Sequence, residues 1–387
     1  MVKNKVLKIL ISLAIGLIAG ISSAIFLLSL DWITSFRTQH PNIIFCLPLA
    51  GIFISWCYQK LEKNASGGMP LIINELKKPQ KRISALTAPF IFFSTLLTHL
   101  FGGSAGREGT ALQMATALIP KQAFYFFEDK RTPILMGISA GFGAVFGTPL
   151  AGIFFSLEIV KLNNKLRIKT LPFITISAYF ADWICQNIPF VKHSAYKIIE
   201  IPELNISFTA KLLIAGLSIG FIAFGYLWIA KKITFLLNKI SPNPIFKPFF
   251  AGLIIVIFVL LTQNYDYTGL GIEKIMASFD HQLPFYDFIA KAFFTILTLT
   301  SGFKGGEVTP LFYIGATLGN FLSTILSLST SFLAGLGFVG IFAGVTKTPF
   351  ASTFLAIELF GLEFGLYATI VCFISNFLSG KKNIYEI

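Results

Sequence analysis

Apolar runs recur along almost the whole chain, at about 6–30, 41–58, 84–101, 110–127, 132–160, 171–190, 207–237, 246–264, 284–300, 309–328, 332–345, 349–362 and 364–379. Little separates them. A helix that crosses a bilayer needs about 20 apolar residues, so several of these runs predict full spans. Others are short and divided only by glycine or proline. A short helix inside a membrane leaves terminal N–H and C=O groups that lipid cannot satisfy. Such breaks are tolerated where they line a polar cavity or hold a substrate, so they point to function.

The pattern also repeats. Shifting the chain by 200 residues superposes Gly137/Gly337, Phe142/Phe342, Val145/Val345, Thr148/Thr348, Pro149/Pro349, Ala151/Ala351, Phe154/Phe354 and Glu158/Glu358, eight identities in the 22 positions from 137 to 158. A shift of 199 superposes Gly103/Gly302, Gly106/Gly305, Glu108/Glu307, Thr110/Thr309 and Leu112/Leu311. Apolar composition alone would not align glycines, prolines and acids. Two halves, about 1–190 and 205–387, are expected to form one membrane transport domain spanning 1–387, with the site near the midplane where they meet. The repeat is compatible with parallel or inverted halves.

Composition sharpens this picture. Hydrophobic residues make up 55% of the 387, charged residues 13%, and mean hydropathy is +0.75. Soluble proteins carry about 25% charged residues, so most of this surface must face hydrocarbon. The chain is a multi-pass membrane protein, which excludes soluble enzymes, fibres and disordered chains. The net charge of +13 lies in short clusters between apolar runs, such as Lys3/Lys5/Lys8, Lys77/Lys78/Lys81/Arg82 and Lys231/Lys232/Lys239. That distribution fits positive-inside loops on the cytoplasmic side rather than nucleic-acid binding. Cys46, Cys57, Cys185 and Cys372 show neither paired nor metal-ligand spacing. The first run is too long for a signal peptide and lacks a cleavage site, so it reads as a retained helix.

Chemistry concentrates at the breaks. Gly102-Gly103-Ser104-Ala105-Gly106-Arg107-Glu108-Gly109-Thr110 opens an apolar helix. Glycines allow close backbone approach, and a helix start offers free N–H groups and partial positive charge. Arg107 and Glu108 at such a depth cost about 2.5–3.5 kcal/mol each on insertion scales. They read either as a structural ion pair or as a carboxylate competing with an anion for the same amides. In the second reading, protonation frees the site and ties anion movement to proton movement. Gly305-Gly306-Glu307-Val308-Thr309-Pro310 is the repeat counterpart. Thr309 is placed to donate its hydroxyl to an anion or to cap the helix. Glu307 reads equally as a dipole partner, an ion-pair partner of Lys304 or a proton carrier. A third break, Ser66-Gly67-Gly68-Met69-Pro70, again precedes a short apolar helix, so three helix starts are available to one anion.

Gly102 to Gly106 also fits the G-x-S-x-G pattern of serine hydrolases, with His99 nearby. That motif needs a strand before it and an acid to orient the base; neither is evident. No H-E-x-x-H zinc pattern or phosphate loop is present. No enzymatic activity, metal or cofactor is expected.

These motifs resemble those of the CLC family of anion channels and proton-coupled anion transporters: G-R-E-G at Gly106–Gly109, G-G-x-x-x-P at Gly305–Pro310, a G-S-G-x-P-like stretch at Ser66–Pro70, and a tyrosine near the end, Tyr385. The resemblance implies an all-α fold of about eighteen tilted, partly re-entrant helices in two inverted repeats. It also implies a homodimer with one anion pathway per subunit. The chain stops near Tyr385, so the cytoplasmic regulatory domains of some members are expected to be absent. Carried over by motif, Glu108 is the gating and proton-carrying glutamate. The anion site then comprises Gly67, Gly68, Met69, Gly106, Arg107, Gly109, Thr110, Glu307, Val308, Thr309 and Tyr385.

Three departures narrow the expectation. The serine of chloride-type members reads Gly67, with Met69 close by; G-R-E-G-P reads G-R-E-G-T; and the cytoplasmic glutamate of proton-coupled chloride transporters reads Ile159, beside Glu158. These resemble the bacterial fluoride-exporting branch. The expected function is a fluoride/proton antiporter in the bacterial inner membrane, with fluoride, protons, lipid and a second copy of the chain as partners. The alternatives are a chloride-type exchanger and a passive anion channel.

Overall fold

The computed structural model describes residues 2–61, 68–79, 83–160, 164–203 and 205–386. The first half holds α1 (Val2–Gln39), α2 (Leu47–Leu61), α3 (Gly68–Lys77), α4 (Thr87–Leu100), α5 (Glu108–Ala117), α6 (Ala123–Phe126), α7 (Arg131–Phe146), α8 (Pro149–Glu158) and α9 (Asn164–Gln186). The second holds α10 (Ile206–Ile240), α11 (Lys247–Thr262), α12 (Ile272–Asp280), α13 (Asp287–Ser301), α14 (Val308–Leu326), α15 (Thr330–Thr346), α16 (Pro349–Phe360) and α17 (Leu362–Leu378). Short 3-10 turns cover Pro41–Cys46 and Ile384–Glu386. Among the described residues the fold is all-α.

Four stretches are long and apolar enough to cross a membrane: Asn4–Gln39, Pro41–Lys60, Ile206–Ile240 and Val308–Leu326. The remaining apolar helices are shorter, and α5, with ten residues, rises only about 15 Å. The apolar run 132–160 is not one span. It breaks at Gly147, φ +72°, and resumes at Pro149, where a missing N–H costs a helix start nothing. The second half breaks in the same way between Lys347 and Pro349. Helix α12 escapes a hydropathy reading because it is short and carries Glu273, Lys274 and Asp280.

The outer surface is apolar: Phe221, Phe235, Leu261 and Phe377 are each more than two-thirds exposed, as lipid contact requires. Long helices approach through glycine. A Cβ at Gly16 on α1 would lie 2.8 Å from Ser177 O on α9, and one at Gly220 on α10 would lie 3.0 Å from Ser375 Cα on α17. Gly16/Gly20 and Gly216/Gly220 are G-x-x-x-G pairs 200 residues apart, a spacing that lets membrane helices pack backbone to backbone.

Reciprocal contacts show that the repeats are inverted. Glu358 Oε1 and Oε2 accept from Leu150 N and Ala151 N, both at 2.9 Å, at the start of α8. Glu158 Oε1 and Oε2 accept from Phe350 N at 3.1 Å and Ala351 N at 2.7 Å, at the start of α16. Each half caps the other half's broken helix, and Phe154 stacks on Phe354 between them, centroids 3.9 Å apart. Mutual contacts of this kind are the product of a two-fold axis, and helices that cap each other's starts run antiparallel. Glu158 is thereby committed to backbone amides, in keeping with a structural pairing role. Ile159 beside it is buried.

Candidate anion-binding site

Two glycine-rich loops meet at the centre of the molecule. Gly102, φ +85°, turns the chain out of α4, and Gly302, φ +114°, turns it out of α13. Ser104 N donates to Thr298 Oγ1 at 3.1 Å, and the Ser104 and Thr295 hydroxyls lie 2.9 Å apart. Beyond them Gly106 N donates to Gly306 O at 2.5 Å and Gly306 N to Gly106 O at 2.8 Å, a small antiparallel bridge between the halves. No side chain fits there: a Cβ on Gly106 would sit 3.0 Å from Thr309 N. The clasp brings the starts of α5 and α14 together.

Glu108 opens α5 and is fully buried. Its carboxylate reaches across to the other half while also folding back on the residue that precedes its own helix. Oε2 accepts from Thr309 N and Arg107 N, each at 3.1 Å, and Oε1 accepts from the Thr309 hydroxyl. Arg107 Nε lies 3.6 Å from Oε1. A buried carboxylate is tolerable only with such partners. Thr309 therefore supplies both a main-chain and a side-chain donor at a helix start, where the dipole favours an anion. Val308 begins α14 and is buried. Gly109 lies against Gly306. Thr110 is turned away: its hydroxyl meets Thr95 Oγ1 at 2.8 Å.

A second group of the expected residues lines a cavity of about 310 Å³ next to this one. Gly68, Met69, Gln113, Lys304, Glu307 and Tyr385 face it. Glu307 Oε1, Tyr385 OH and Gln113 Oε1 are buried with no hydrogen-bond partner among the described residues. Lys304 Nζ lies 4.4 Å from the Tyr58 ring centroid. Lys77 at the end of α3 pairs with Glu386 at 3.2 Å, which puts this cavity on the side of the basic clusters. Gly67 lies outside the described residues. Gln113 was missed from sequence; its signal is a lone amide within an apolar helix, five residues after Glu108. The hydrolase pattern dissolves, since Ser104 bonds threonines and no strand precedes it among the described residues.

A family model described as voltage gated chloride channel matches residues 50–380. A chloride/fluoride channel protein of Pseudomonas syringae pv. tomato is 40% identical over 96% of this chain and 84% of its own. An H+/Cl− exchange transporter of Salmonella agona is 25% identical over 95% of this chain and 85% of its own. The crystal structure of a CLC-type fluoride/proton antiporter matches with TM-score 0.93 and 33% identity, covering 98% of this chain and 97% of that one. A slow cyanobacterial Cl−/H+ antiporter shares the fold, with TM-score 0.85 at 19% identity over 98% of this chain and 96% of that one.

Proposed function

The chain belongs to the voltage-gated chloride channel family, and from that footing we propose that it is a fluoride/proton antiporter that carries fluoride out of the cytoplasm in exchange for protons. One observation carries the reading. The Glu108 carboxylate occupies donors that would otherwise suit a small anion: Thr309 N, Thr309 Oγ1 and Arg107 N. Fluoride, small and strongly hydrated, needs short N–H and O–H donors to replace its water, and these are of that kind. When Glu108 takes a proton its charge is gone, the donors turn to fluoride, and the side chain carries the proton. Loss of the proton returns the carboxylate and expels the anion. Two anions competing for one set of donors make a coupled exchange.

Toward the basic side, Met69, Gln113 and Tyr385 line fluoride's route. Glu307, with one oxygen unpartnered in that cavity, passes the proton on in place of the glutamate absent at Ile159. Similarity to a chloride/fluoride channel protein of Pseudomonas and to a CLC-type fluoride/proton antiporter supports fluoride as the ion. We take the working unit to be a homodimer in the bacterial inner membrane, each subunit with its own pathway, as the family resemblance implies. The test uses purified protein in liposomes loaded with fluoride, read by fluoride and pH electrodes together. An outward fluoride gradient should draw protons inward against their gradient. Fluoride flux without proton movement would make the protein a channel, and equal chloride flux would make it a chloride-type exchanger.

A further inference from the structure

Tyr385 stands on no α-helix. It is carried by residues 379–386, which leave the end of α17 and close in the 3-10 turn Ile384–Glu386. The start of this strap is firmly held. Lys347 Nζ donates to Asn376 O at 2.8 Å and to Ser379 Oγ at 2.6 Å, and the Ser379 hydroxyl lies 2.7 Å from Gly344 O. Gly380 then turns with φ +86°, and nothing lies closer than 3.8 Å to the place where a Cβ would stand. Glycine takes that conformation without strain.

Beyond Gly380 the turn is shaped from within. Tyr385 N donates to Asn383 Oδ1 at 3.1 Å, and Glu386 N to Asn383 O at 3.2 Å. These bonds set the form of the turn but not its place on the molecule. Ile384 and Tyr385 pack half-buried against the core. Among the described residues one ion pair ties the turn to another element: Lys77 Nζ lies 3.2 Å from Glu386 Oε1.

Lys77 is the last residue of α3, a helix that packs on α5, α7 and the turn itself. Met69, near the start of α3, faces Tyr385 across the cavity of about 310 Å³. From Met69 to Lys77 the helix rises about 12 Å as one rigid rod, so fixing its last residue to the turn also fixes where its first turn lies relative to Tyr385. We infer that Lys77 and Glu386 are positioning residues for fluoride entry, their ion pair setting the gap between Met69 and Tyr385. This rests on the fluoride reading above, in which those two side chains line the route. The paired side chains are 48% and 39% exposed, and exposed pairs add little to stability. The pair therefore acts through where it holds the turn.

The test is fluoride efflux from liposomes holding the purified full-length protein, read against internal fluoride. Lys77→Glu and Glu386→Lys each replace attraction by repulsion, and each should raise half-saturating fluoride about threefold, the scale of an exposed pair. Maximal rate and melting temperature should stay as in wild type. The double swap, Lys77→Glu with Glu386→Lys, should return half-saturation to the wild-type value. Lys78, Lys381 and Lys382 are exposed nearby but are common to all four proteins, so they cancel from the comparison. In sodium gluconate at about 1 M, where the Debye length falls to about 3 Å, wild type and the single reversals should converge. Unchanged half-saturation in both single reversals, with fluoride/proton exchange intact, would overturn the positioning role alone. So would a swap as impaired as the singles, or a maximal rate that falls in step with melting temperature, because packing would then be the cause. A wild type that moves no fluoride would overturn the transport reading and this inference with it.

Discussion

Replacing Glu108 by glutamine tests the coupling at its centre. The carboxylate accepts from Thr309 N, Thr309 Oγ1 and Arg107 N, and glutamine keeps its shape without its charge. Hydrogen bonds to a charged group contribute about 1.5–3 kcal/mol and neutral ones about 1 kcal/mol. Over three bonds the carboxamide loses roughly 2–5 kcal/mol of hold on these donors, before counting the mismatch of its NH₂ with an N–H. At about 1.4 kcal/mol per decade, fluoride should compete for the donors roughly 30- to 4,000-fold better than against the carboxylate. No protonation is then needed, and none can occur. Fluoride efflux from liposomes should continue passively, lose its dependence on pH, and move no protons on a simultaneous pH electrode. Should Glu108→Gln still pump protons against their gradient at the wild-type ratio, Glu108 is not the proton carrier and the competition model fails.

Thr309→Val removes the hydroxyl donor but leaves the amide, so half-saturating fluoride should rise about tenfold, the equivalent of one charged hydrogen bond; Thr309→Ser should restore it, as read by efflux against internal fluoride. Met69→Ala should change the fluoride-to-chloride efflux ratio, whereas Met136→Ala, in the fully buried middle of α7, should lower thermal stability by the usual large-to-small cost of about 2–5 kcal/mol without moving that ratio. Equal shifts in both ratios would return Met69 to packing. Glu307→Gln should slow proton release on the basic side while fluoride still binds, separable by stopped-flow pH and calorimetry. Glu158→Gln and Glu358→Gln should each destabilise the fold by about 1–3 kcal/mol through weakened caps on α16 and α8, visible as a lower melting temperature in detergent, with the proton-to-fluoride ratio unchanged.

Much of this protein is legible in one dimension. Membrane residence follows from a charge supply too small to cover a soluble surface, and the breaks at Gly67–Pro70, Gly102–Glu108 and Gly302–Pro310 follow from glycine and proline alone. Backbone freedom and a missing N–H are properties of the residue, so they need no partner to be read. The repeat is equally local, being a comparison of the chain with itself. Partnership is different, because it depends on which distant segments meet. Nothing within residues 132–160 tells that Glu158 caps α16 while Glu358 caps α8, and only that reciprocity decides inverted over parallel halves. Thr110 follows the same glycine-rich loop as Glu108, yet the fold turns its hydroxyl to Thr95 and brings Thr309 from 201 residues away to the carboxylate. Helix breaks are written in single residues, whereas the donors that an anion meets are assembled across both halves and are decided by tertiary packing.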